Sequence, residues 1–342
     1  MTARFRARCV AFLGALGIAM AATGAEPVET DTHRFEEVAD GVFLARTKAP
    51  LFNSNSLVIV NAEDVLVVDS HITPRMGREL IASIGEITSK PITTLVNTHF
   101  HYDHAHGNQA FGPDVAIIGH EYTRMKMAGD PLAEGTFQRG KVGDERQLAG
   151  LQEQLAASSD AEERAALEAR IGWVTKRIEA TAEIAPVPPD VTLNERMTLF
   201  RGDREIQLHF LGRAHTAGDV SVYLPREKLL YSGDMMFAGI SWLGDGYVNE
   251  WPETLERAKA LDFELVVPGH GPPFSDRSRI DLVQAYYRDL WSGVAALHAQ
   301  GVDAASAAAT VDLTHHRALG VEQVGAATLA VERIYAVLEG AE

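Results

Sequence analysis

The segment that most constrains the fold places His99, His101, Asp103 and His104 within six residues. The apolar and β-branched run 92–97 comes directly before it and predicts a buried strand. The cluster therefore falls where a strand ends and a loop begins, which is where open α/β sheets place their binding sites. Imidazole and carboxylate groups are zinc ligands, and a loop can fold one cluster around two ions. A lone histidine is usually a surface or core residue, but this density predicts a metal site.

Three later side chains repeat this design. His215 follows the apolar run 206–211, Asp234 follows 229–233, and His270 follows 265–268. Each lies on a turn with neighbouring glycines, which let backbone and side chain approach an ion closely. The recurrence predicts that these three residues join the first cluster.

The order of these motifs resembles the metallo-β-lactamase superfamily. The His-x-His-x-Asp-His cluster, the later histidine, the Gly-Asp turn and the Pro-Gly-His-Gly turn carry the resemblance from about Val42 to Pro273. Strand and helix patterns alternate in the first half and again after 196, which indicates two αβ halves packed sheet to sheet. We therefore expect an α/β fold, a four-layered αβ/βα sandwich of two mixed β-sheets flanked by helices.

The resemblance also implies two zinc ions per chain that share a bridging carboxylate. The implied ligands are His99, His101 and His215 for one ion, Asp103, His104 and His270 for the other, and Asp234 for the bridge. Asp69 is implied as a supporting group that orients the loop or a ligand imidazole. Asp103 is implied as the catalytic residue, which orients the nucleophile or moves its proton.

The turn at Asp234 departs from the antibiotic-degrading branches. β-Lactamases with a cysteine ligand carry it at this place, and the all-histidine β-lactamases lack a bridging carboxylate there. The stretch Tyr231–Phe237 is closer to glyoxalase II-like thioesterases and lactonases. The resemblance therefore identifies a superfamily but no substrate.

The expected activity is hydrolysis of an acyl bond in a small molecule by metal-activated water. A β-lactam substrate is slightly favoured over a lactone or thioester. The expected export favours a β-lactam, whereas Asp234 favours the other two substrates. Phosphodiester or sulfate-ester cleavage is a rival hydrolytic reaction. Outside hydrolases, an iron-dependent oxidoreductase and a zinc-binding non-enzyme stay open, although the pair His99-x-His101 argues against a flavin-linked di-iron reductase.

The formal net charge of −16 disfavours nucleic-acid binding, which needs a basic surface. At the N-terminus, three arginines precede the apolar run 9–20 and then small residues up to Ala25. This order predicts a signal peptide at 1–25, and the run is too short for a comfortable membrane span. We expect a periplasmic or secreted chain, 26–342, without a stable membrane anchor. Its single cysteine, Cys9, would be removed with the signal.

Residues 144–182 are rich in helix formers and carry two apolar stripes, separated by Ser158-Ser159-Asp160. We expect a helical hairpin inserted at about 144–185, as a structural insertion or as a lid or dimer surface. Further helices at about 279–340 close the domain. His33 is expected at the surface, and so are His298, His315 and His316. Candidates for an apolar substrate wall, or alternatively for ordinary core, are Phe52, Trp242 and Tyr247.

Overall fold

The computed structural model describes residues 26–48 and 53–340. Its first sheet has eight strands in sequence order, antiparallel from the first to the fifth and parallel from the fifth to the eighth. These strands are β1 Val28–Glu29, β2 His33–Ala39, β3 Val42–Thr47, β4 Ser56–Val60, β5 Val65–Val68, β6 Ile92–Val96, β7 Ala116–His120 and β8 Val191–Leu193.

The second sheet has five strands in the order β13-β12-β11-β10-β9, and only its β12–β13 pair is parallel. Its strands are β9 Arg196–Arg201, β10 Arg204–Phe210, β11 Val220–Leu224, β12 Leu229–Gly233 and β13 Leu265–Pro268. Leu57 and Val96 of the first sheet pack against Leu208 and Val222 of the second in one buried apolar cluster. The two sheets therefore stack face to face.

Helices cover the outer faces of both sheets. They are α1 Pro74–Ile87, α2 Tyr102–Ala105, α3 Glu121–Ala128, α4 Gly135–Ala157, α5 Ala161–Thr181, α6 Trp251–Lys259, α7 Ser278–Ala299, α8 Ala304–Thr310 and α9 Thr328–Leu338, with 3-10 helices at Asn108–Ala110 and Thr314–Leu319. Leu80 of α1 packs with Val67 on the first sheet, and Trp251 of α6 packs with Leu230 on the second. The expected four-layered sandwich is confirmed.

The helical hairpin is present as α4 and α5. Asp160 caps α5, because its side chain accepts a hydrogen bond from the Glu163 amide. The two helices have an apolar cluster of their own around Leu151, Leu167 and Val174. α4 begins at Gly135, nine residues before the predicted start at 144, because glycines in its first turns weaken the sequence signal for a helix.

Two other expectations need correction. His33 is fully buried rather than at the surface, and its Nε2 lies 3.1 Å from Nε2 of His71. His316 is also mostly buried, because its ring packs against Tyr286. The proposed signal peptide and Phe52 lie outside the described residues. Within the described ranges, no helix has the length and apolar character needed to cross a bilayer.

Candidate metal centre

All seven predicted ligands converge at one edge of the sandwich. They come from the segments that follow β6, β10, β12 and β13, at the ends of strands from both sheets. The segment after β6 leads through Thr98 into the short helix α2, which carries Asp103 and His104. Six of the seven side chains are buried, and His270 is partly exposed. The structure thus brings together residues that are up to 171 positions apart in the sequence.

Two groups of three ligand atoms form the floor of the site. In the first, His215 Nε2 lies 3.0 Å from His101 Nδ1, and His99 completes the group. In the second, His270 Nε2 lies 2.9 Å from Asp103 Oδ2, and His104 completes the group. Within each group the ligand atoms lie within 4.8 Å of one another. Each group therefore has the size and donor types of a metal site.

Asp234 lies between the two groups. Its Oδ2 is 3.6 Å from His215 Nε2 and 3.6 Å from His270 Nε2, while its Oδ1 is 3.3 Å from His104 Nε2. A Cβ atom at Gly269 would collide with Oδ1 of Asp234. The glycine therefore permits the carboxylate to reach a position from which it contacts both groups.

Three buried polar atoms at the centre of the site have no hydrogen-bond partner among the described residues. They are His99 Nε2, His104 Nε2 and Asp234 Oδ1. Buried polar atoms in proteins are nearly always paired, so three orphans that converge on one point need an explanation. Imidazole nitrogen and carboxylate oxygen are ligand atoms for zinc and other divalent ions. The side chains present therefore fit bound metal.

The outward-facing nitrogens of three histidines are occupied by acceptors. His104 Nδ1 lies 2.8 Å from Asp69 Oδ2, and His215 Nδ1 lies 3.0 Å from the Trp242 carbonyl. His101 Nε2 lies 2.9 Å from Asp245 Oδ2. Because carboxylates and carbonyls only accept, these nitrogens carry the protons. The inward nitrogens are then the ones that can donate a lone pair to a metal ion.

Asp69 has the supporting position that the resemblance implies. It follows β5 with φ +63°, and its carboxylate is fully buried. Oδ1 accepts a hydrogen bond of 2.8 Å from the Thr98 amide, and Oδ2 accepts one of 3.3 Å from the Tyr231 hydroxyl. One carboxylate thus links His104, the start of the ligand segment and the second sheet.

Burial and mutual charge set the protonation states at the centre. Burial lowers the pKa of His215 to about 3 and, together with the neighbouring histidines, holds the pKa of His99 well below its usual value. Burial raises the pKa of Asp234, but His104 and His270 outweigh it and hold that pKa well below the usual range. His99 and His215 are therefore neutral beside an ionised Asp234. Burial lowers the pKa of His104 and of His270, but Asp234 and Asp103 outweigh it and raise both pKa values. A site with this negative charge suits a divalent cation.

Residues 49–270 match the family model described as the metallo-beta-lactamase superfamily. This chain belongs to that superfamily. The resemblance read from the motifs is thereby confirmed. The superfamily consists mostly of hydrolytic metalloenzymes, and the two ligand groups are suited to metal.

The curated relatives have diverse activities. The alpha subunit of 2,4-dinitroanisole O-demethylase from Nocardioides sp. (strain JS1661) is 26% identical over 80% of this chain and 64% of its own length. A linear primary-alkylsulfatase from Pseudomonas sp. (strain ATCC 19151) is 25% identical over 70% of this chain and 45% of its own. A metallo-beta-lactamase type 2 from Elizabethkingia meningoseptica is 22% identical over 80% of this chain and 94% of its own. The chain spans less than two thirds of the first two relatives.

A solved structure supports the same fold. A double mutant of a sec-alkyl sulfatase superposes with a TM-score of 0.64 and 14% sequence identity, over 90% of this chain and 50% of the sulfatase. At this identity, the likeness shows the fold alone.

A cleft of about 460 Å³ opens over the two ligand groups of this chain. Apolar side chains form much of its wall: Phe237, Ile240, Trp242 and Leu329. α4 contributes Thr136, Arg139 and Gly140, so the inserted hairpin lines the cleft. Of the aromatics considered from the sequence, Trp242 lines this cleft, while Tyr247 is buried between two arginine side chains.

α4 approaches the ligand segment very closely. A Cβ atom at Gly140 would lie 2.6 Å from the Tyr102 hydroxyl oxygen, so a larger residue there would require Tyr102 or α4 to move. Thr136 Oγ1 donates a hydrogen bond of 2.5 Å to Asp245 Oδ2, the same oxygen that His101 contacts. Sequence reasoning missed Asp245. Its one local signal is a position between Gly244 and Gly246, and nothing in the sequence links it to His101.

Proposed function

We propose that this protein is a dinuclear zinc hydrolase that opens an acyl bond in a small, largely apolar substrate. The observation that carries this proposal is the convergence of seven imidazole and carboxylate side chains. Three of their buried atoms have no hydrogen-bond partner among the described residues. One ion would be held by His99, His101 and His215. The other would be held by Asp103, His104 and His270, with Asp234 shared. Nitrogen and oxygen donors without a thiolate suit zinc in this geometry.

Bound zinc supplies Lewis acidity and a water of near-neutral pKa. The side chains of the cleft orient the attacking water and limit the access of other water. His104 and His270 hold the pKa of Asp103 at about 2 although burial raises it, so this carboxylate is ionised at neutral pH. Asp103 lines the cleft and can accept a hydrogen bond from an attacking water, which orients that water toward a substrate carbonyl. The apolar wall formed with Phe237 and Trp242 limits competing water.

Among acyl substrates, we place a β-lactam first and a lactone or thioester next. The alignment with a curated metallo-beta-lactamase over 94% of that enzyme's length supports the first. The carboxylate of Asp234 between the two ligand groups supports the others, since it occupies the place of the cysteine ligand in one β-lactamase branch.

A sulfate ester of an apolar alcohol is the second candidate substrate. The linear primary-alkylsulfatase among the curated relatives supports it, as does the apolar character of the cleft wall. The same pair of ions would serve ester cleavage at sulfur.

A side-by-side assay tests these proposals. Native enzyme and the Asp103→Ala variant are given a chromogenic cephalosporin, a lactone, a thioester, an alkyl sulfate and a phosphodiester, and bound metal is measured in the purified protein. We expect about two zinc ions per chain and turnover of an acyl substrate by native enzyme only. Equal rates for both proteins across the whole panel would contradict hydrolysis, and iron in place of zinc would favour an oxidoreductase.

We also propose export to the periplasm or the medium, based on Arg4, Arg6 and Arg8 followed by the apolar run 9–20. Fractionation of expressing cells tests this. Export predicts a shortened protein in the periplasmic or secreted fraction, and Arg4, Arg6 and Arg8 replaced together by Glu should keep it inside the cell. Full-length native protein in the cytosol would overturn the proposal.

A further inference from the structure

We propose that Arg139 forms an anion-binding subsite in the cleft, so that the preferred substrate is an apolar molecule with a carboxylate or similar oxyanion away from the cleaved bond. This inference rests on the proposed hydrolase function and narrows its substrate class. It assigns substrate selectivity to the inserted hairpin, whereas the metal-binding side chains come from the sandwich itself.

The first observation is that Arg139 has no counter-ion. It projects from α4 into the lining of the cleft. Among residues 26–48 and 53–340, no carboxylate lies within ion-pair distance of its guanidinium, and no side chain or carbonyl accepts a hydrogen bond from it. Some arginines of this acidic chain are paired, as Arg204 is with Glu227 and Arg213 with Glu250. A guanidinium presents five donors in a fork that matches an oxyanion, and here all five are available.

The second observation is that the guanidinium is held over a fixed aromatic ring. Its Cζ lies 5.5 Å from the centroid of the Trp242 ring, in the range of a cation–π contact. The Trp242 backbone is fixed by the bond from His215 to its carbonyl. Its indole lies directly over Gly244, where a Cβ atom would collide with the ring. The Trp242 ring therefore favours one position of the exposed guanidinium, which reduces the entropy cost of binding.

The third observation is that the Trp242 ring links Arg139 to the predicted metal ligands. The Trp242 ring that carries the guanidinium also contacts the His101 ring, at 5.5 Å between centroids. One indole thus connects the proposed anion subsite to a predicted metal ligand. Phe237, Ile240 and Leu329 supply apolar surface in the same cleft. A small molecule can place its apolar body on this surface, its scissile bond at the ligand groups and its oxyanion at Arg139.

The charge of the whole protein makes this single cation matter. The formal net charge is −16, which repels anionic substrates at long range. Of the cleft-lining residues that the structure describes, Arg139 is the one lysine or arginine. It therefore offers a local positive charge in a protein whose net charge is negative.

The test compares two esters with the same leaving group. The neutral ester is 4-nitrophenyl butyrate and the anionic ester is 4-nitrophenyl hemisuccinate, both assayed with the zinc-loaded enzyme. For Arg139→Gln we expect the loss of kcat/KM on the anionic ester to exceed the loss on the neutral ester by about tenfold, the size of one charge-assisted contact at a partly exposed site. Arg139→Lys should recover part of the difference, and the difference should shrink in high salt.

The matched control is Arg146→Gln, which removes the same charge from the same helix two turns away from the cleft-lining residues. It should leave the rates on both esters unchanged. A binding measurement covers the case in which nitrophenyl esters are poor substrates. Hexanesulfonate is titrated against zinc-loaded protein by tryptophan fluorescence, and Arg139→Gln should raise its Kd about tenfold.

The outcomes separate the two proposals. If neither the esters nor the wider substrate panel is turned over faster by native enzyme than by Asp103→Ala, the hydrolase function fails, and sulfonate binding alone decides the role of Arg139. Equal losses on both esters would show that Arg139 acts on structure rather than on substrate charge. Sulfonate binding that is the same in native protein and Arg139→Gln would overturn the anion subsite.

Discussion

The metal centre and the hairpin α4–α5 face each other across one cleft, but they are held in place by different interactions. At the centre, buried side chains at strand ends are oriented by acceptors such as Asp69, so most of the site is fixed by the packing of the two sheets. The hairpin has a separate apolar cluster. It meets the centre through a few contacts, among them the bond from Thr136 to Asp245 and the packing of Phe137 on Tyr102.

This difference indicates a division of roles. A site on rigid strand ends keeps its geometry when a surface element changes, whereas an inserted element can vary without unfolding the core. The sandwich would therefore supply the metal chemistry and the hairpin the fit to substrate. Relatives with β-lactamase, alkylsulfatase and O-demethylase names are consistent with one core that serves several reactions.

The largest effect is expected at the centre, from Asp103→Ala. The change removes a predicted ligand and the group that orients water, so activity should fall more than 100-fold, beyond the roughly 10–100-fold typical of supporting residues. Steady-state kinetics and bound-zinc analysis measure this. Asp203→Ala, an exposed surface carboxylate that pairs with Arg226, is the control and should leave both unchanged. Full activity in Asp103→Ala would break the assignment of chemistry to the centre.

Asp69→Asn tests whether the supporting carboxylate acts through His104. The amide cannot accept hydrogen bonds from Thr98, His104 and Tyr231 together, so zinc affinity should fall roughly 10–100-fold. Competition with a chelator measures the affinity. Asp64→Asn, which changes a carboxylate on the same sheet far from the ligands, should keep native affinity. Equal affinities for both variants would contradict the role of Asp69.

The buried pair His33 and His71 behind Asp69 should make stability depend on pH. Burial lowers the pKa of His33 to about 4, below its unfolded value near 6.5. The unfolded chain therefore binds more protons in this interval, so stability is full above about pH 6.5 and is lost as pH falls toward 4. The contribution is on the order of 3 kcal/mol. Denaturation at several pH values should show a shallower slope for His33→Gln than for His298→Gln, and identical slopes would contradict it.

The smallest effects are expected where the hairpin touches the centre. Asp245→Ala leaves His101 without its carboxylate partner and should lower zinc affinity about tenfold. Thr136→Val removes only the bond from the hairpin to Asp245, so its effect should be a few-fold. Chelator competition ranks the two variants, with Thr310→Val as the control. A larger effect from Thr136→Val would show that the hairpin supports the centre more than its contacts indicate.

The convergence of the seven predicted ligands could be anticipated from the sequence because they lie in segments that follow apolar runs typical of strands. Local spacing in His99–His104 and glycines beside His215, Asp234 and His270 carried that signal. Asp245 carried only the weak signal of a glycine on either side, since its partner His101 is 144 residues away and the contact depends on how the loops pack. His33 was misplaced for a similar reason, because its burial depends on contact with His71 from a later loop.

The start of α4 shows a conflict between local propensity and tertiary contact. Gly135, Gly140 and Gly143 lower helix propensity, so the sequence predicted a later start. At Gly140 the structure supplies the reason for the residue, since Tyr102 fills the space where a side chain would be. The glycine that weakens the sequence signal for α4 also allows the helix to lie close to the ligand segment.

The absence of a side chain at Gly140 consequently lets α4 lie close to Tyr102 at the wall of the cleft. An alanine there would push α4 away from Tyr102, and Arg139 would move outward with the helix. Such a change would retune substrate size and charge preference together while every ligand stayed in place. One carbon atom at the wall of the cleft would thus set the distance between the sandwich and the hairpin.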